Sequence, residues 1–217
     1  MSNQGLPSEF ELIARYFAPL ACALPGAYGL LDDAAVISPA SGNELVVKAD
    51  TTVGGIDFLP DEPADLIARK ALRVNLSDLA AKGAIPRAYL LDLVLPNTVD
   101  EPWIAAFVAG LAYDQAEYNL HLIGGDMSAT SGPITIAVTA LGEAPIGGII
   151  RRGGAQRDDT VFVTGTNRRC RAGALGVARH AVHARRGLDH VSHRSLSIAR
   201  AACRPGPTAD RHRDRGA

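Results

Sequence analysis

Residues 71–84, "ALRVNLSDLAAKGA", decide how the chain is laid out. Their apolar residues recur at helical spacing and the pattern stops at Gly83 and Pro86, so a helix over about 63–82 is expected. One carboxylate disturbs it. Ile67, Ala71, Val74 and Asp78 follow one another at spacings of four, three and four, which sets Asp78 on the same stripe as three apolar side chains. An ionised carboxylate is costly on a buried face unless something positive meets it. Either this face borders solvent or backbone amides satisfy Asp78, or the aspartate belongs to a site.

The flanking segments supply the other elements. Ser8 and Glu11 stand at capping-box spacing before a helix on which Phe10, Ile13 and Phe17 share a face. "AAVIS" and "ELVVKAD", separated by the turn-forming "PASGN", read as a strand pair. Beyond the central helix, "AYLLDLVL" reads as a strand, "EPWIAAFVAGLAYDQAEYN" as a helix, and "LHLIGG" and "PITIAVTAL" as strands. The expected fold class is α+β, with two helices layered on a mixed sheet and an additional helix in front. The first domain is expected over residues 1–145, with a second beginning near 146 and "DTVFVTG" as one of its strands.

Charge divides the chain sharply. Residues 1–166 hold 10 Lys and Arg against 20 Asp and Glu, whereas 167–217 hold 12 Arg against 3 Asp. The rear segment has no Lys, Glu, Phe, Tyr or Trp and contains five of the six histidines. One reading of such a segment is a nucleic-acid arm. The other is the product of a high-GC coding sequence read out of frame, and its scattered arginines and small apolar residues favour that reading. Residues 167–217 are therefore expected to be disordered, with no nucleic-acid partner. No apolar run of about 18 residues suits a membrane span and the start lacks a secretory pattern, so a cytoplasmic protein is expected. Cys22, Cys170 and Cys203 show no metal-ligand spacing and are expected as free thiols.

Four aspartates lie at the edges of apolar elements: Asp33 in "LLDDAAVI", Asp50 ending "LVVKAD", Asp78 in the helix, and Asp126 in "LIGGDMS". If they converge, their mutual repulsion calls for cations, and hard oxygen ligands of this kind suit Mg²⁺ with phosphate oxygens completing its shell. Gly124 and Gly125 permit a close backbone approach at the last of them. The common nucleotide-binding loops are absent. From the residues alone the reading is a carboxylate-rich Mg²⁺-phosphate site. Tyr113 and Tyr118 read as packing residues before adenine contacts, and Trp103 as a core or interface residue.

Six segments in order, "SEFELIARYF", "LLDDAAVI", "ADTTVGGIDFLP", "KALRVNLSDLAAKGAIP", "LIGGDMS" and "RRGGAQRDDTVFVTGT", resemble the thiamine-monophosphate kinase family. That family lies in the superfamily of aminoimidazole ribonucleotide synthetase. The resemblance covers residues 8–166 and implies an amino-terminal ATP-binding domain that forms a homodimer through its sheet. It implies ATP-dependent phosphorylation of thiamine phosphate to thiamine diphosphate, with ATP as co-substrate and Mg²⁺ as cofactor. Carried over by position, it implies Asp33, Asp50, Asp78 and Asp126 as Mg²⁺ ligands, with Asp78 facing inward beneath the phosphates. Gly125 and Asp126 match the ATP-phosphate contact, Arg152 an ATP-contacting arginine, and Asp57 a substrate-contacting position that is histidine in the family. No catalytic base is implied, since the acceptor phosphate oxygen is already anionic.

Departures accompany the likeness. Lys48 and Ala49 stand where the family usually has a hydroxyl pair, Leu31 replaces a glycine, and Met127 replaces a threonine. After residue 166 the sequence ceases to resemble the family, whose carboxy-terminal domain carries further acids and substrate contacts. Kinase activity is therefore expected to be impaired, and the alternative is an inactive remnant that binds nucleotide or dimerises.

Overall fold

The computed structural model describes residues 7–160. β1 (Asn43–Val53), β2 (Ile85–Pro96), β3 (His121–Thr130) and β4 (Thr135–Pro145) form one sheet in the order β1-β4-β2-β3. β4 runs antiparallel to both its neighbours and β2 runs parallel to β3. The last strand is thus inserted between the first two. α3 (Ala64–Ala81) connects β1 to β2 and α4 (Glu101–Tyr118) connects β2 to β3. Together with the helical segment in front, this is the expected α+β layering.

Period-two alternation sorts the sheet's faces. Leu91, Leu93, Ile136 and Val138 are buried in one core with α3 and α4, while the intervening Asp92, Ala137 and Thr139 face the other way. Ile67, Leu72, Leu76 and Leu79 of α3 are almost wholly buried against Tyr89, Ile104, Phe107 and Leu111. Burial on this scale stabilises by about 1.5–3 kcal/mol per large aliphatic side chain. α4 comes close to the start of α3 at Gly110, where a β-carbon would stand 2.3 Å from the Asp65 carbonyl oxygen. The stack of Trp103 on Phe107, 5.0 Å between ring centres, lies on the same helix.

Buried polar groups tie these layers. Asp114, wholly buried on α4, accepts two 2.8 Å hydrogen bonds from Arg73 of α3 and lies 3.5 Å from Arg69. Gln115 accepts from the Tyr89 hydroxyl at 2.8 Å and donates to the Leu20 carbonyl at 2.9 Å, anchoring the front of the chain to the core. Glu143 of β4 is 5 % exposed and accepts from Asn43, from the Ala40 N–H and from Arg87. Burial pushes its pKa up, but these donors outweigh burial and hold it below the ordinary 4.5.

The front of the chain departs from expectation in two places. Ser8 and Glu11 do form the capping box of α1 (Glu9–Leu12). The helix then widens into a π turn over Ile13–Phe17 before α2 (Ala18–Ala21). That extra residue rotates the apolar face, so Phe17 is buried while Phe10 is 82 % exposed. "AAVIS" makes no strand: β1 pairs with β4 instead, and the Val36 N–H is bound by the Gly26 carbonyl at 2.9 Å. Residues 27–37 lie over the far face of β2 and β3, where Ala27, Ala35 and Ile37 join Ala88 and Ile123 in a small second core.

Residues 146–160 carry no strand or helix. The rest of the expected second-domain start, including most of "DTVFVTG", lies outside the described residues, as does the Arg-rich segment 167–217. Among the described residues no helix is long and apolar enough to cross a membrane.

Candidate functional site

A cavity of about 480 Å³ opens at the β3 edge of the sheet. Its volume lies in the range of small-molecule pockets. Ile13 and Phe17 form part of its apolar wall, Asp32 and Asp33 stand on one side, and Asp92, Gly124, Gly125 and Asp126 come from β2 and β3. The local backbone sets these groups. Tyr28, Gly29 and Leu30 all have positive φ, and this turn delivers Asp32 and Asp33 to the cavity. On the sheet, Asp92 is the parallel partner of Asp126, so their α-carbons are about one strand spacing apart and both carboxylates face away from α3 and α4. Gly125 lets β3 press on β2 there, since its missing β-carbon would lie 1.8 Å from the Leu91 carbonyl oxygen. Asp126 accepts a 3.0 Å hydrogen bond from the Ser128 hydroxyl.

Asp92 was not singled out among the site aspartates, although it is the one charged residue in "AYLLDLVL". That isolation was the available signal: a lone carboxylate on the outward face of an otherwise apolar strand.

Asp50 and Asp78 meet elsewhere. Lys48 Nζ lies 3.1 Å from Asp78 Oδ2 and 3.5 Å from Asp50 Oδ2, joining β1 to α3 on the helix-bearing face. Hydrogen bonding to Asp78, foremost, and the charge of both aspartates hold the Lys48 ammonium above its ordinary pKa against the opposing effect of burial. The inward, metal-facing placement implied for Asp78 is not what is found. Its side chain is 53 % exposed, because the α3 stripe surfaces past Ala71, and the positive group that meets it is a lysine.

The four aspartates thus form two separate sets, at the opposite edge strands and on opposite faces of the sheet. Among the described residues no three His, Cys, Asp or Glu side chains are grouped to hold a metal. Mg²⁺ commonly needs only one or two carboxylates, with water and phosphate oxygens filling its shell. Asp92, Asp126 and Asp33 offer such donors in a cavity that no lysine or arginine among the described residues lines, so that donor set fits the ion. The Asp50–Asp78 pair does not fit, since an ammonium already stands between its oxygens.

Other expected contacts lie outside the cavity. The Asp57 carboxylate accepts the Val53 N–H at 2.8 Å and its carbonyl accepts from Lys70, closing the turn after β1. Arg152 is exposed in the segment after β4. Tyr113 lies beneath the Arg69 guanidinium at 4.2 Å and Tyr118 is buried in the core.

Four likenesses bear on this arrangement. The family model described as AIR synthase related protein, N-terminal domain, matches residues 31–144. Thiamine-monophosphate kinase of Caulobacter vibrioides is 46% identical over 160 residues, covering 74% of this chain and 46% of that protein. The crystal structure of thiamine-monophosphate kinase from Stenotrophomonas maltophilia K279a superposes with a TM-score of 0.54 at 42% identity, covering 58% of this chain and 39% of that one. AaThiL complexed with AMPPCP and TMP superposes with a TM-score of 0.50 at 26% identity, covering 60% of this chain and 45% of that one. The chain spans about half the length of the curated relatives it matches. Since the family model covers more than half of the residues, and the mixed sheet agrees with it, the chain belongs to the AIR synthase related proteins, whose N-terminal domain it carries.

Proposed function

We propose that this chain binds Mg²⁺-ATP at the β3-edge cavity and is the nucleotide-binding part of a thiamine-phosphate kinase. The observation that carries the reading is the Gly125–Asp126 stretch of β3 opening into a carboxylate-lined cavity, in a chain 46% identical over 160 residues to a thiamine-monophosphate kinase. The complex of AaThiL with AMPPCP and TMP supports it from a related fold. Asp126 and its strand neighbour Asp92, with Asp33 on the other side of the cavity, would supply the one or two carboxylates the ion needs, the Gly124 and Gly125 backbone leaves room for the phosphates, and Arg152 is the further ATP contact. Bound Mg²⁺ would neutralise charge on the transferring phosphoryl group. The chain's own part is to fix donors in place and exclude water along the apolar wall of Phe17, Leu91 and Leu122. The acceptor phosphate oxygen of thiamine phosphate attacks as an anion, so no side chain need take a proton. Asp57, at the turn after β1, is the proposed acceptor-side contact. Homodimerisation through the uncovered part of the sheet is supported by Val47 and Leu45, 61 % and 36 % exposed on β1.

A second reading, nucleotide binding without transfer, is favoured by Lys48, which leaves only one of the two carboxylate sets open to metal.

Thermal denaturation tests the site. At a concentration 100 times its Kd, Mg²⁺-ATP should stabilise the chain by about 2.7 kcal/mol, which raises Tm by about 5–10 °C for a domain of this size. Asp126→Asn should abolish most of that rise. No rise in the parent chain, or an equal rise in the variant, rejects the site. Phosphate transfer to thiamine phosphate, followed in the same samples, separates the two readings.

A further inference from the structure

Lys48 is the one basic residue of β1, and its ammonium reaches both carboxylates of the Asp50–Asp78 pair. The three side chains are 29 %, 47 % and 53 % exposed, so water reaches the pair but its inner oxygens face the lysine. Lys48 and Asp50 sit two residues apart on the same side of β1, and Asp78 approaches them from α3. We propose that Lys48 is a built-in cation that holds β1 to α3 and closes the Asp50–Asp78 pair to divalent metal.

The chemistry follows from charge and tethering. A lysine ammonium is a compact point charge with three donors, able to satisfy two carboxylates at once. Because it is covalently attached, its local concentration at the pair is far higher than that of a free ion. A divalent ion entering between the oxygens must first displace it, breaking both contacts and placing two cations side by side. One site of exchangeable charge is thereby converted into a fixed single charge, and divalent metal is confined to the β3-edge cavity. This deepens the kinase reading, which places its metal in the β3-edge cavity and not at the Asp50–Asp78 pair that the family resemblance implied, and its test uses metal alone.

Mn²⁺ binding to the full chain, without nucleotide, can be counted from the loss of the free-ion electron paramagnetic resonance signal. In the parent chain Asp78→Asn should leave Mn²⁺ binding unchanged, because the pair is already closed. Lys48→Met, which keeps the stem and removes the charge, should add one site binding Mn²⁺ at least tenfold more tightly than this pair does in the parent. The double variant Lys48→Met/Asp78→Asn should lose that site. The proposal is overturned if Asp78→Asn weakens Mn²⁺ binding in the parent chain, a result that needs no altered lysine. It is also overturned if Lys48→Met gains nothing, or if the gained site survives the loss of Asp78. A chain that binds Mn²⁺ in this pattern but ignores ATP would reject the kinase reading and leave this inference standing.

Discussion

Replacing Gly125 by alanine tests the link between the cavity and the sheet most directly. An added β-carbon would lie 1.8 Å from the Leu91 carbonyl oxygen, 2.6 Å from its carbon and 2.9 Å from its nitrogen, where ordinary contact begins near 3.4 Å. The obstacle is backbone in the middle of β2, which cannot turn aside. The native φ of +150° adds a conformation that side-chain-bearing residues rarely adopt. Strain of about 1–3 kcal/mol and overpacking of about 1–3 kcal/mol together predict a loss of about 3 kcal/mol or more. With a urea m-value of about 2 kcal/mol/M, the unfolding midpoint should fall by about 1.5 M. Trp103, the single tryptophan, is stacked on Phe107 and reports the transition by fluorescence. Gly153→Ala, where an added β-carbon meets nothing within 4 Å, is the control and should stay within about 0.5 kcal/mol of the parent. Were Gly125→Ala equally silent, β3 would not approach β2 as described, and the positions assigned to Asp92 and Asp126 would fall with it.

Asp114→Asn should cost about 3–5 kcal/mol, because it leaves the Arg73 and Arg69 guanidinium groups facing a buried neutral amide; urea denaturation monitored by circular dichroism measures it, and a loss below about 1 kcal/mol would refute the clamp. Glu143, held below 4.5 in the folded state, contributes stability that is complete above its unfolded pKa and lost as pH falls through its folded one. Stability should therefore decline from about pH 5 downward, and Glu143→Gln should flatten that decline; parallel acid limbs in the two proteins would show that Glu143 does not drive it.

Helical and strand periodicity carried most of the architecture, because α3, α4, β2 and β4 each bury a regular apolar face and nothing local competes with it. It misled at the front of the chain, where a single π turn re-aims the apolar residues without leaving a mark on their spacing. The "AAVIS" segment also departs from its pattern. Its composition suits a strand, but β1 takes its partner from β4, some hundred residues later, and Ala35 and Ile37 are used instead to cover the far face of β2 and β3. The cavity was partly legible. Asp33 and Asp126 do line it, as does Asp92, which the sequence reading passed over although it is the single charge in an apolar strand. The pairing of Asp50 and Asp78 through Lys48 was not legible, because it depends on how far a flexible side chain reaches between a strand and a helix. The family resemblance pointed to those acids as ligands, and Lys48, a departure from the family, decides what they hold.

The insertion of β4 between β1 and β2 has a consequence during synthesis. β1 emerges from the ribosome before the other described strands, yet its partner among them, β4, is the last of the four to be made. At roughly 5–20 residues per second, the interval between them lasts several seconds. In the later part of that time the apolar side of α3, and then Leu91 and Leu93, are present without the strand that joins β1 to β2. The nascent chain should therefore depend on holding chaperones until β4 arrives, and stalled chains ending before residue 135 should aggregate while those extended well past 145 remain dispersed.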